Sequence, residues 1–411
     1  MQSITSLSEF AGHLRDLIRG TNAESSWPDE LFGDLALKLF VLQCTHNDPY
    51  RKLCEANGTV QGPKSKVQTA NIADWRQIPA LPTSAFKDFD LTCLAPQSRT
   101  TVFHSSGTTE HRPSRHFHNA ESLRVYKASL IAAFSQRLDA SSRPTIISLT
   151  PRPELAPNSS LVYMFQTFCE SFGDDHSTFV GRLASDGGWA LNGEVALQTL
   201  RQAIESAKPV LILGTAFLYV HLLDYLDEIG VRLELPPGSH VLETGGYKAR
   251  SRIIPKDELH RSICERLGIA SANIICEYGM SELSSQAYDN NPEGIESFSP
   301  GLRGTSYPGS EPSKIPNPER VAPNRSRTTV PGEAARPFHF PPWTRVQIIS
   351  PETGREVNEG ETGLIRVFDL ANVFSVMAIQ TEDLAIKRGD GFELIGRAAL
   401  AEARGCSLMA V

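Results

Sequence analysis

Between residues 145 and 277, short β-rich runs alternate with runs at helical spacing, and this alternation constrains the fold more than any other feature of the chain. Residues 145–149 form a β-rich apolar run, 195–206 repeat apolar positions at helical spacing, and 209–213 are again strand-like. Residues 217–229 read as a helix closed by Gly230; 240–243 and 273–277 read as strands, with 255–267 helical between them. Each strand–helix–strand unit needs a crossover, so the pattern predicts an α/β fold: a mostly parallel sheet with helices on its faces. Residues 210–223 are the longest apolar stretch. They are too few to span a bilayer and include His221, so a buried strand running into a helix explains them.

The flanks differ in kind. Residues 7–58 read as helices, with Leu31, Leu35, Leu37, Leu39, Phe40 and Leu42 on a broad apolar face. A proline-punctuated connection at Ile78-Pro79 and Pro82 follows. Residues 293–342 are rich in Pro, Ser, Arg and Gly without periodicity, which predicts a long loop. From Thr344 onward short strands at 345–350, 363–368 and 392–395 are separated by turns at Glu352-Thr353-Gly354 and Gly389-Asp390-Gly391, which predicts a small antiparallel β unit. The expected organisation is a helical region over 1–100, an α/β core over 101–300, a Pro-rich loop over 301–342, and a β unit with a tail over 343–411.

A net charge of −7 and the lack of any long basic run argue against nucleic acid or an anionic membrane as the main partner. The first twenty residues have no apolar core of the kind a secretory signal needs. Seven cysteines, odd in number, scattered and without a CxxC pair, argue against a disulfide framework and a structural zinc site. A reducing, cytoplasmic setting fits them.

Four short motifs carry the chemistry. Phe103-His104-Ser105-Ser106-Gly107-Thr108-Thr109 places hydroxyls and bare backbone N–H groups in a row, a cradle suited to phosphate, although a plain surface loop has the same composition. Glu243-Thr244-Gly245-Gly246-Tyr247-Lys248 leaves a strand on two glycines, allowing either close approach to a flat ligand or a tight turn. Glu277-Tyr278-Gly279-Met280-Ser281-Glu282 gathers an aromatic face, a hydroxyl and a carboxylate able to hold Mg²⁺. Thr381-Glu382-Asp383 precedes Gly396-Arg397 by about one hairpin; an Asp and an Arg so placed can bind ribose and phosphate, or simply each other. His116 and His118 alternate as on a strand and could face one metal, but more simply belong to the strand leaving the hydroxyl loop.

In this order, these motifs resemble those of the adenylate-forming superfamily: acyl-CoA synthetases, peptide-synthetase adenylation domains and firefly-type luciferases. Within it the chain looks most like the LuxE-type acyl-protein synthetases. That likeness is carried by His46-Asn47-Asp48-Pro49-Tyr50, Phe86-Lys87-Asp88-Phe89, Pro341-Pro342-Trp343 and Arg404-Gly405-Cys406-Ser407-Leu408. The resemblance implies the superfamily's large N-terminal domain, made of layered α/β subdomains and a small β-barrel-like one.

It also implies roles for individual residues. Ser105, Ser106, Gly107, Thr108 and Thr109 would wrap the β- and γ-phosphates of ATP. Gly245 and Gly246 would line the adenine, with Tyr278 stacked on it beside Gly279. Ser281 would touch the α-phosphate and Glu282 would hold Mg²⁺. Asp383 would bond the ribose, Arg397 would sit near it, and Cys406 would carry the acyl group as a thioester. The acid would be a fatty acid, and an acyl reductase or carrier protein would be the partner.

The pattern departs from the superfamily in two places. Glu110 and Ser114 stand where relatives have Gly and Lys, with Arg112 and Arg115 close by to supply charge. The sequence also stops at Val411, so the usual C-terminal lid and its lysine are expected to be lacking; Lys248 and Lys387 are internal candidates for a substitute, and a partner protein is another. Two alternatives stay open: a ligase that loads CoA or an acyl carrier protein, and a non-catalytic nucleotide-binding subunit of a reductase complex.

Overall fold

The structure is a computed structural model that describes residues 4–22, 25–63, 67–69, 72–105, 112–138, 143–246, 251–289 and 336–398. The alternation in the middle of the chain becomes a six-stranded sheet. Its strands lie in the order Ala287–Tyr288, Ile274–Tyr278, His240–Thr244, Val210–Thr215, Thr145–Ser148 and Thr178–Phe179. All neighbours are parallel except the first pair. Val210–Thr215 is buried at every position, and its alternate side chains enter two separate cores. Leu211 and Leu213 pack on one face with Phe134, Phe165 and Phe168; Val210 and Ile212 pack on the other with Leu218, Leu222 and Leu226. This two-sided burial explains the near-continuous apolar run in the sequence.

The helices Gly193–Glu205, Ala216–Glu228 and Lys256–Leu267 sit where their spacing predicts. Two more, Ala120–Ser135 and Ser160–Phe172, supply the other layer. The expected helical start is also present as Leu7–Arg19, Asp29–His46 and Asp48–Ala56. The first of these opens on a reciprocal cap in which Ser6 and Glu9 each bond the other's backbone. It buries Leu7, Phe10, Ala11, Leu14 and Ile18, and packs against Ala120–Ser135.

The final β unit runs antiparallel through Thr344–Ile349, Thr362–Asp369, Ala378–Arg388 and Gly391–Arg397. Leu81–Pro82, from the proline-punctuated connection, joins its sheet parallel to Ala378–Arg388. Further stitches hold the first hundred residues to the 369–377 turn. The Gln43 amide donates to the Asn372 carbonyl (2.8 Å) and accepts from the Met377 N–H (3.1 Å), while Ser375 Oγ donates to the Leu91 carbonyl (2.8 Å). The Pro-rich stretch expected as a loop lies outside the described residues as far as position 335. No described helix is long and apolar enough to cross a membrane.

Trp343 locks the β unit to the α/β layers. It is fully buried, and its indole N–H lies 2.9 Å from Ser129 Oγ and 3.1 Å from Ser285 Oγ. Trp343→Ala is expected to lower stability by about 3–5 kcal/mol, read as a fall in the urea midpoint. Trp343→Phe keeps most of the packing and is expected to cost only ~1–2 kcal/mol, because the Ser129 and Ser285 hydroxyls can still bond each other.

Candidate active site

Ligands of open α/β sheets gather beyond the carboxyl ends of parallel strands, and the sequence motifs converge there. His240–Thr244 and Ile274–Tyr278 are neighbours with Thr244 opposite Glu277. Gly245-Gly246 and Tyr278-Gly279 therefore leave the sheet side by side. Gly245 has φ +66°, a backbone that side-chain-bearing residues rarely adopt, and both glycines are exposed. A Cβ at Gly279 would run into the Glu277 carboxylate. Tyr278 is 6% exposed, its ring set edge-on to Phe392, Phe338 and Phe340.

The Tyr278 hydroxyl donates to Asp383 Oδ2 at 2.9 Å, joining the second sheet-end motif to the β unit. Asp383 faces Arg397 across the hairpin, with Arg397 Nε 3.9 Å from Asp383 Oδ1 and its NH2 3.6 Å from Glu382 Oε2. The Arg397 side chain is 69% exposed, so its charge is available to a ligand. Burial pushes the Asp383 carboxyl above its ordinary range, against the hydrogen bond from Tyr278 and the charge of Arg397.

The tightest cluster centres on Glu282. Ser114 Oγ donates to one carboxylate oxygen at 2.5 Å and Ser281 Oγ to the other at 3.0 Å. Ser114 thus stands where relatives have lysine and bonds the carboxylate directly. Its N–H also bonds Ser105 Oγ at 3.0 Å, closing the base of the hydroxyl loop. Thr101–His104 and Arg115–His118 form the antiparallel stem of that loop. Glu282 is buried and makes no ion pair among the described residues; burial raises its pKa, opposed by the Ser114 hydroxyl.

Sequence reasoning left His116 without a role. Its Nδ1 is 2.8 Å from the Ser281 carbonyl oxygen, which can only accept, so Nδ1 carries the proton. Burial lowers its pKa to about 4, against that bond, so the ring is neutral at ordinary pH. The alternation of His116 and His118 was the available signal: both point inward, with ring centres 4.2 Å apart.

Other expected groups are engaged elsewhere. Arg115 pairs with Asp90 at 2.9 Å, Arg112 lies 3.9 Å from Asp88, and Lys387 pairs with Glu356 at 2.7 Å, four residues along the strand from Asp383. Ser106, Gly107, Thr108, Thr109, Glu110, Lys248 and Cys406 lie outside the described residues.

The fold is that of the adenylate-forming ligases. The chain superposes on 2-hydroxyisobutyryl-CoA ligase, in an open conformation with 2-HIB-AMP and CoA, with TM-score 0.56 and 12% identity, over 90% of this chain and 71% of that one. The same ligase in its thioesterification state gives TM-score 0.56 at 13% identity, over 90% and 69%. A long-chain-fatty-acid-CoA ligase from Archaeoglobus fulgidus gives TM-score 0.45 at 13% identity, over 74% of this chain and 53% of that one. No curated protein sequence matches the chain. The profile of the family described as acyl-protein synthetase, LuxE, matches residues 18–294. That match covers more than half of the chain, which belongs to this family of adenylate-forming ligases.

Beneath the site, Glu277 is buried and hydrogen-bonded by Thr244 Oγ1; burial is the main cause raising its pKa, to about 7. A carboxyl raised in the fold contributes stability below its unfolded pKa and loses it as pH rises through the folded one. Wild type is therefore expected to lose on the order of 3 kcal/mol relative to Glu277→Gln between about pH 4.5 and pH 7. Urea unfolding of both proteins across that range checks the slope.

Proposed function

We propose that the chain activates a carboxylic acid, a fatty acid by class, with ATP and passes the acyl group to Cys406. A partner acyl reductase or acyl carrier would collect it there. The observation that carries this reading is the hydrogen bond from Ser114 to Glu282, which binds the hydroxyl loop to the YGxSE segment and gives the resemblance a common centre. Family membership supports the acyl-adenylate chemistry.

In the first step a carboxylate oxygen of the acid attacks the α-phosphorus of ATP. The bond from that phosphorus to pyrophosphate breaks, leaving an acyl-adenylate. The work of the protein is alignment and charge compensation. Gly245 and Gly246 offer backbone groups to the adenine edge without side chains in the way, and Tyr278 closes the far side. Asp383, already oriented by Tyr278, accepts from the ribose hydroxyls. Exposed Arg397 neutralises phosphate charge, and the Ser281 hydroxyl, two residues beyond the Gly279 bend, serves the α-phosphate. Ser105 through Thr109 hold the leaving pyrophosphate. The set Glu282, Ser281 and Ser114 fits Mg²⁺: hard oxygens around a buried carboxylate with no ion-pair partner among the described residues. When bound, that ion supplies positive charge against the phosphates.

In the second step the Cys406 thiolate attacks the acyl carbonyl, the bond to AMP breaks, and AMP departs. Arg404, two residues away, favours the thiolate. Scattered cysteines, odd in number and without a CxxC pair, fit a reducing cytoplasmic setting, in which such a thioester survives.

Intact-protein mass spectrometry with Mg²⁺, ATP and a panel of acids tests the reading. The expected outcome is a hydroxylamine-labile adduct on wild type that is absent from Cys406→Ser. Acid-dependent pyrophosphate release without an adduct would move the acyl group to an external thiol such as CoA or a carrier protein. No release, with or without a partner, would support a non-catalytic subunit. Glu282→Gln is expected to slow pyrophosphate release by a factor of about 100 or more. Asp383→Ala should raise the ATP KM by roughly tenfold, the effect of losing about one charge-assisted hydrogen bond.

A further inference from the structure

On the opposite face of the same two strands lies a cluster that the activation chemistry does not use. Glu243 and Cys276 are register partners on His240–Thr244 and Ile274–Tyr278, and His260 comes from the helix Lys256–Leu267 that covers them. Glu243 Oε2 is 3.6 Å from His260 Nε2, Cys276 Sγ is 3.6 Å from Glu243 Oε2, and Cys276 Sγ is 3.7 Å from His260 Nε2. Glu243 and Cys276 are buried, and the His260 side chain is 16% exposed.

We propose that Glu243, His260 and Cys276 bind a divalent transition-metal ion, zinc by the character of the donors. A tetrahedral zinc with one sulfur, one imidazole nitrogen and one carboxylate oxygen at ordinary bond lengths holds those donors about 3.4–3.6 Å apart. The triangle here is close to that size on all three sides before any ion enters. Mixed S, N and O donors suit zinc better than magnesium or calcium, which prefer oxygen alone.

The charge also balances. Metal entry breaks the Cys276 S–H bond, forms an S–metal bond and sends the proton to solvent, while Glu243 and His260 donate lone pairs. The carboxylate and thiolate then neutralise the 2+ ion. The neighbouring carboxylate, Asp289, does not disturb this. It accepts the Cys276 backbone N–H at 2.7 Å and lies 3.6 Å from the Lys256 ammonium. Binding releases the thiol proton to solvent, so affinity should rise with pH. Because Glu243 and Cys276 each precede a ligand-facing glycine or tyrosine by two residues, the ion would tie both strand ends to the covering helix. Three ligands from three elements leave no spacing signature, which is why the scattered cysteines seemed to exclude zinc.

The test uses the full chain stripped with chelator and titrated with Co²⁺, then with Zn²⁺ in competition. The expected result is one Co²⁺ per chain with a near-ultraviolet thiolate-to-cobalt band. That band should vanish in Cys276→Ser, and His260→Gln should weaken binding by more than the ~10–100-fold that loss of an outer partner costs. Zinc should raise the Tm of wild type and leave that of both variants unmoved. If Cys276→Ser does not fold, His260→Gln decides alone. No saturable binding, or a band unchanged in the variants, would overturn the proposal. None of these readouts depends on acid activation, so the two readings fail separately.

Discussion

The structure depends on a strand that meets water on neither side. Val210–Thr215 is paired by parallel strands at both edges and covered by apolar side chains above and below. Its backbone groups bond the ladder and two buried hydroxyls, Ser239 Oγ accepting from the Val210 N–H and Tyr219 donating to the Ile212 carbonyl, and its side chains fill the two cores. Once that strand is set, register carries the arrangement outward. His240–Thr244 aligns beside it, Ile274–Tyr278 aligns beside that, and their carboxyl ends finish level. The candidate site is the place where this levelled edge meets the β unit.

What gathers there is unusual for a folded interior. Glu277, Glu282 and Asp383 are partly or wholly removed from water, and burial raises the pKa of each. Hydroxyl donors from Thr244, Ser114, Ser281 and Tyr278 offset part of the desolvation, but hydroxyls carry no charge. Asp383 has Arg397 3.9 Å away, whereas Glu277 and Glu282 make no ion pair among the described residues.

Much of this was legible in the sequence. The 145–277 alternation announced the parallel sheet because β-branched runs and helical spacing differ in period. The glycine pairs marked strand ends because few other residues make those bends. The helices Ala120–Ser135 and Ser160–Phe172 were less visible, since both are apolar on more than one side. The strand Ala378–Arg388 appeared only as its central TED motif, because polar residues occupy both of its faces. Pairings across the fold were not legible at all. Ser114 looked like a lost lysine until Glu282, 168 residues away, was placed against it. Glu243, His260 and Cys276 share no spacing and meet only through register and helix packing.

The parallel pairing of Leu81–Pro82 with Ala378–Arg388 has a consequence for how the chain comes into being. Some partners of the first hundred residues are made late: Gln43 bonds a carbonyl 329 positions further on, and Leu81–Pro82 pairs with Ala378–Arg388. At ribosomal speeds of roughly 5–20 residues per second, the early helices wait on the order of tens of seconds with that face open. The closing contacts are among the most non-local in the molecule, a topology that slows folding and exposes apolar surface meanwhile. The two ends of the described sequence are therefore parts of one fold, completed only when the β unit is made.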